Sequence, residues 1–269
     1  MKPAEQEGAL WGARARDWAD VQEPTIRPVC RTVLGELGTW QGRTLLDVGC
    51  GAGDFVGMAS CLGARVSGLD ASVALIEIAR KRNPAGLFRV GDMQYLPFPD
   101  DAFNVVTAFN SLHFATDPAA TVAEAIRVTR PGGSIVIATW GPPSECDAIT
   151  YLLDLGSLMP QGPPGRPTSL DPTDLDAPGA LMTRAGLTPS AWRKVHCPWE
   201  YPDLGTALRG LLSTGPAAQA ISHSGQSHVA EAIAESIAPY RCGDGSYSLS
   251  NTCYYLVATT DGRGGPHIA

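Results

Sequence analysis

The stretch TLLDVGCGAGDF, Thr44 to Phe55, constrains this chain more than any other, because a short apolar run breaks into three alternating glycines, Gly49, Gly51 and Gly53. The run reads as a buried strand, and DFVGMASCLGA after it as a helix. The pattern then repeats. RVSGLD is a second strand, SVALIEIARKR a second helix capped by Ser72, GLFRVGD a third strand and FNVVTAF a fourth. DPAATVAEAIRVTR follows as a helix with Asp117 as its cap and Pro118 at its first position, and SIVIATW after the turn RPGG makes a fifth strand. Strands that alternate with helices in this way build parallel βα units, so the expected fold is α/β, a doubly wound sheet.

In such a sheet, ligands bind outside the carboxyl ends of the strands, near the point where strand order reverses. The strand ends here offer the glycine turn, Asp70, Asp92 in GDM, and Asn110 with His113 in FNSLHF. A glycine turn after a strand is a familiar phosphate cradle, since bare backbone lets a ligand approach N–H groups at a helix start. Yet acidic residues, Asp47 and Asp54, flank this turn, and its spacing is G-x-G-x-G rather than the dinucleotide G-x-G-x-x-G. Asp70 stands where a carboxylate can take both hydroxyls of a ribose. A ligand with a ribose, no phosphate and a cationic group near the turn reconciles these features, and S-adenosylmethionine has that character.

The blocks LLDVGCGAGDF, GLDAS, VGDMQYLPFPDDAFNVVTAFNSLHF and RVTRPGGSIVIATW, spanning about residues 44 to 140, together resemble the class I S-adenosylmethionine-dependent methyltransferases. The resembled subgroup includes the ubiquinone and menaquinone enzymes and other small-molecule methyltransferases. The resemblance implies a Rossmann-like sheet of about seven strands with the last antiparallel, and a helical lid or insert. It implies that Gly49 and Gly51 admit the methionyl part of the cofactor, with Asp47 facing its ammonium side. Asp70 would hold the ribose hydroxyls, Asp92 the adenine amino group, and Ala71 and Met93 the faces of the base. Phe109 and Asn110 would line the wall beside the sulfonium. Trp18, Glu23 and Trp140 would belong to a lid or to the substrate wall.

The same residues have plainer readings. Asp54 is expected to act as a helix cap, because a carboxylate in the first turn complements the helix dipole. Met93 can be core packing, Gly132 and Gly133 a structural turn, and Trp11, Trp18 and Glu23 surface anchoring. His113 has two readings: a base for a substrate hydroxyl or acidic carbon, given a pKa close to working pH, or a side chain that packs or caps locally. His196, His223 and His228 carry no partner spacing. Trp140, Trp192, Trp199 and Tyr151 hint at an apolar or aromatic ligand, with core packing as the default.

The rest of the chain follows a different grammar. Ahead of the glycine turn, EPTIRPVCRTVLGELG puts Ile26, Val29, Cys30, Val33, Leu34 and Leu37 on one helical face. From Gly141 to about Pro178 the chain is rich in proline and glycine around one helix, CDAITYLLDLGSLM. TPSAWRKVHCPWEY reads as a sixth strand and GSYSLSNTCYYLVATT as a seventh, with a largely helical block between them and a frayed tail, DGRGGPHIA. The expected organisation is one domain over 1–269. Its parts are an N-terminal helical lid segment (1–43), a cofactor-binding core (44–140) and substrate-covering inserts (141–187 and 203–240).

Composition narrows the partners. The net charge is −7 and the 20 basic residues are scattered, which disfavours a nucleic-acid substrate. No apolar run reaches membrane-spanning length and the start has no apolar leader, so a cytoplasmic protein is expected, with an oligomer compatible with the sequence. The seven cysteines show no metal-ligand spacing and read as buried thiols, and no metal is expected. The expected activity is transfer of a methyl group (EC 2.1.1.-) from S-adenosylmethionine to a small-molecule acceptor through oxygen, nitrogen or carbon, the acceptor being a specialised metabolite or quinone-like compound. The alternatives are use of the cofactor pocket for a non-methylating reaction such as cyclisation, or for ligand sensing. A nicotinamide-dependent reductase fits the glycine spacing poorly.

Overall fold

The computed structural model describes residues 1–159, 170 and 174–260. The chain opens with helices α1 (Pro3–Gly12) and α2 (Ala15–Asp17), a π-helical turn Trp18–Gln22 and a 3-10 turn Glu23–Ile26, then α3 (Arg27–Glu36). The βα units follow as β1 (Thr44–Val48), α4 (Asp54–Cys61), β2 (Arg65–Asp70), α5 (Val73–Arg82), β3 (Leu87–Val90), β4 (Phe103–Phe109), α6 (Pro118–Val128) and β5 (Thr129–Trp140). Both expected caps form: Ser72 Oγ accepts from Leu75 N–H and Asp117 Oδ1 from Ala120 N–H. Asp54 does not cap. Gly53 holds the cap position of α4 in a left-handed conformation, and the Asp54 carboxylate instead forms a bidentate pair with Arg27 at 2.6 and 2.8 Å. An arginine fork one helix away outcompetes the local N–H groups because it offers two charge-assisted bonds at once.

The sheet order is β3-β2-β1-β4-β5-β10, with β10 (Thr252–Thr259) antiparallel to β5 and a seventh position along the outer edge of β10. That edge is not one strand. It is shared by β6 (Thr188–Pro189), paired with Ala258 and Thr259, and β7 (Arg193–His196), paired with Thr252 to Tyr255. Pro189 and Pro198 lack the N–H that a continuous ladder needs, so the expected sixth strand breaks at both ends. Beyond Pro198, β8 (Trp199–Tyr201) leaves the main sheet and pairs with β9 (Tyr247–Leu249), which splits the expected seventh strand as well. The fifth strand starts earlier than expected. Its register with β4 jumps from Phe103 opposite Thr129 to Val105 opposite Ser134, so the RPGG segment is a bulge inside the strand.

Helices α3, α4 and α5 cover one face of the sheet, and α6 and α8 (Asp176–Arg184) the other. A further apolar cluster unites α7 (Ile149–Ser157), β8, β9, α9 (Leu204–Leu211), α10 (Gly215–Ser224) and α11 (Gln226–Ile237), with Tyr151, Trp199 and Tyr201 buried in it. The expected helical block after Asp203 is therefore present, and it has its own core. Most of the proline-rich segment after Met159 and the tail expected to fray lie outside the described residues. Of the seven cysteines, Cys61 and Cys242 are exposed rather than buried. No helix among the described residues is long and apolar enough to cross a membrane.

Candidate cofactor and acceptor site

Strand order reverses between β1 and β4, and the glycine turn leaves β1 at that point. Gly49 has φ +79° and Gly51 φ +53°, a region that side chains disfavour, and a Cβ on Gly49 would lie 2.3 Å from Ser111 Cβ. Ser111 is held there by donating to Val48 O at 2.6 Å.

The backbone donors of this turn are all in use. Gly49 and Cys50 N–H both donate to Leu69 O, Gly51 N–H to Asp70 Oδ2 at 2.9 Å, Ala52 N–H to Glu23 Oε1 at 2.7 Å, and Gly53 N–H to Cys50 O. A phosphate bound here would find no vacant N–H and three carboxylates, Asp47, Asp70 and Glu23. The turn therefore suits a cation.

Those carboxylates are strained electrostatically. Asp47, on β1, is buried and accepts from Thr107 Oγ1 at 2.6 Å; burial pushes its carboxyl up to about 7, and the neighbouring Asp70 adds to the rise. Burial pushes Glu23 up to about 8, with Asp54 adding to it and Arg82 pulling back. Burial also raises Asp70 against the N–H groups of Ser72 and Gly51 that stabilise its charge. Nearby positive charge would relieve all three.

Two orphaned polar atoms flank the same turn. Trp18 Nε1 and Asn110 Oδ1 are buried and have no hydrogen-bond partner. Trp18 Nε1 would lie 3.3 Å from a Cβ on Gly51, and Asn110, at φ +47°, directly precedes the Ser111 that packs on Gly49. Buried orphans of this kind ask for a missing partner. An unused donor, an unused acceptor and a ring of carboxylates fit the α-carboxylate and α-ammonium of an amino-acid-bearing cation, so the residues present fit S-adenosylmethionine.

The other expected residues spread outward from this centre. Asp70 retains acceptor capacity, because a carboxylate offers about four lone-pair sites and the N–H groups of Gly51, Ala71 and Ser72 do not fill them all. Asp92 accepts from Gln94 N–H and Nε2. Ala71 lies under α1, where a Cβ on Gly8 would meet its carbonyl oxygen at 2.2 Å. Met93 is partly buried against the core, as the packing reading expects. Phe109 is buried with its ring 4.5 Å from that of Phe55. Trp140, at the end of β5, meets Trp199 edge-on at 5.4 Å. His113 packs on Phe114 at 4.2 Å and lines a small cavity with Thr139, Ile137 and Pro178. Phe114 meets Trp11 and Trp11 meets Trp18, so an aromatic chain runs from His113 back to the glycine turn. His196 pairs with Ser250, away from this cluster.

Sequence reading missed Thr107, Ser111, Arg82 and Gln22. Arg82 holds Glu23 Oε2, Ala19 O and Asp20 Oδ1, while Gln22 Oε1 accepts from Tyr201 OH at 2.8 Å. The only local signal was the run of basic residues at the end of α5, which reads equally well as a solvated helix end.

Residues 46–137 match the family model described as a methyltransferase domain. The chain is 30% identical to a malonyl-[acyl-carrier protein] O-methyltransferase of Serratia marcescens, over 91% of this chain and 92% of that one. It is 31% identical to a ubiquinone biosynthesis O-methyltransferase of Alkalilimnicola ehrlichii, over 68% and 82%. Among solved structures, the [4+2]-cyclase SpnF superposes with a TM-score of 0.52 at 21% identity, over 82% of this chain and 76% of that one, a likeness of fold alone.

Proposed function

The chain belongs to the class I S-adenosylmethionine-dependent methyltransferases, in the small-molecule, quinone-like subgroup, and on that premise we propose that it methylates a nucleophilic oxygen of a small organic acceptor. The observation that carries the cofactor half of this reading is the glycine turn whose N–H groups are all occupied and which is surrounded by the carboxyl groups of Asp47, Asp70 and Glu23, whose ionised forms a bound cation would favour. The choice of oxygen over nitrogen or carbon is supported by the two O-methyltransferase relatives. A specialised metabolite or a quinol-like compound has the required chemistry.

When bound, the cofactor supplies an electrophilic methyl group on a sulfonium, displaced in line by the acceptor. The protein's part is to bind, orient and dry the site. Asp47 and Asn110 Oδ1 would accept from the ammonium, Trp18 Nε1 would donate to the carboxylate, and Asp70 would take the ribose hydroxyls. Asp92 would receive the adenine amino group, with Ala71 and Met93 against the base and Phe109 beside the sulfonium. Residues 1–43 act as lid, 44–140 as cofactor core, and the described parts of 141–187 with 203–240 as acceptor cover, Trp140 lying where the cover meets the sheet. Holding the two reactants in line can lower the barrier by roughly 7–11 kcal/mol, against about 10²- to 10⁴-fold from a base. His113 is assigned to take the proton from the acceptor hydroxyl.

Calorimetric titration tests this reading. S-adenosylmethionine and S-adenosylhomocysteine are expected to bind, and NADH is not; binding of NADH alone overturns it. Mass spectrometry then decides the chemistry, because a product formed while the cofactor keeps its methyl group would assign the pocket to a non-methylating reaction.

A further inference from the structure

The N-terminal turn Trp18–Glu23 is held from two sides. On one side Glu23 accepts the Ala52 N–H of the glycine turn, and Arg82 at the end of α5 grips Glu23, Ala19 O and Asp20. On the other side Tyr201 of β8 donates to Gln22 Oε1 at 2.8 Å, with both side chains buried. Helix α9 presses on the same turn at Gly210, where a Cβ would come within 2.8 Å of Gln22 Oε1 and 3.0 Å of Val21 Cγ1. Arg209 adds a half-exposed pair with Asp17 at 2.9 Å, which salt would screen. Trp18–Gln22 of this turn is π-helical, a rare conformation that is frequent at functional sites.

We propose that Gln22 and Tyr201 are positioning residues that couple the two halves of the site, so that cofactor bound at the glycine turn fixes the acceptor-covering block through the Trp18–Glu23 turn. This rests on the cofactor reading above. The argument is one of shared ordering. The block from β8 to α11 packs around its own apolar cluster, and Val21, from the turn, joins that cluster from outside. A ligand that orders the turn removes part of the entropy cost of seating α9 on it, and the acceptor then meets a cover already in place. The Gln22–Tyr201 bond makes the link specific. Leaving either buried polar partner unsatisfied costs more than the bond itself contributes, so the turn and β8 favour moving together.

Hydrogen exchange of the full chain with and without saturating S-adenosylhomocysteine is the test, with calorimetry on the same samples. Exchange over Leu204–Leu211 is expected to slow at least about fivefold on binding, the low end of ordinary coupling between sites. In Tyr201→Phe that slowing is expected to vanish while affinity for S-adenosylhomocysteine stays within about twofold. Gln22→Glu keeps an acceptor oxygen for the tyrosine and should retain the slowing. Gly210→Ala, which keeps the Tyr201 hydroxyl but crowds both Gln22 and the Tyr201 ring, should lose it, and so tests the link if Tyr201→Phe folds poorly. Binding without slowing in the native protein, or slowing undiminished in both Tyr201→Phe and Gly210→Ala, overturns the coupling alone. Failure of the native protein to bind S-adenosylhomocysteine overturns the cofactor reading, and the coupling with it.

Discussion

Glu23 Oε1 accepts the backbone N–H of Ala52 at 2.7 Å, tying the N-terminal segment to the glycine turn, and its second oxygen takes Arg82 at 2.9 Å. The carboxylate is buried, whereas its arginine is about a third exposed. This bond sets the N-terminal segment directly against the glycine turn of the candidate site.

Arg82→Ala is expected to destabilise the fold by about 1–3 kcal/mol, less than for a fully buried pair because water reaches the arginine. Adding Glu23→Gln should recover part of the loss, since the amide keeps an acceptor for Ala52 without an unpaired charge. Chemical denaturation of the four species in a double-mutant cycle gives the coupling, and additive losses would show that the pair does not act as a latch.

Trp18→Phe removes an N–H that has no partner within the protein. Thermal stability should hold or rise slightly, while affinity for S-adenosylhomocysteine should fall roughly 10- to 100-fold, the value of a hydrogen bond to a charged group. Equal affinity in calorimetry would place Trp18 outside the cofactor contacts.

The Asp47 carboxyl, pushed from 3.8 up to about 7, holds its proton in the fold at a pH where the unfolded chain has lost it. Its contribution to stability without ligand is thus full below about pH 4 and is lost as the pH rises through about 7. Cofactor affinity should move the other way, because the ammonium needs the ionised form, and should rise between pH 6 and pH 8. Asp47→Asn should flatten this rise and weaken binding throughout; a pH profile identical to that of the native protein would remove Asp47 from the ammonium site.

His113→Ala should lower kcat with a phenolic quinol acceptor by about 10²- to 10⁴-fold while leaving affinity for S-adenosylhomocysteine unchanged. Full turnover in the variant would return His113 to the local packing seen against Phe114.

The strands and helices from Thr44 to Trp140 were legible in the sequence because each is a local pattern: an apolar run, a cap such as Ser72 or Asp117, a glycine turn. The placement of Asp47, Asp70 and Asp92 toward one edge of the sheet was legible for a related reason, since the topology of a doubly wound sheet sends the carboxyl end of each parallel strand to one edge. The last strands were misjudged where Pro189 and Pro198 interrupt a ladder that side-chain alternation alone would continue. Asp54 was misjudged because its partner, Arg27, comes from another helix.

By itself, then, the sequence determined the sheet, its carboxyl edge and the acidic character of the glycine turn, all of which follow from short-range pattern and handed connectivity. Only the tertiary structure decided that the turn's N–H groups are spent, that Trp18 and Asn110 carry unused polar atoms beside it, and that Arg82 and Tyr201 clamp one N-terminal turn between the glycine turn and the block from β8 to α11. Whether a donor is free, or a charge is paired, depends on groups brought together from distant parts of the chain, and no local pattern encodes that meeting.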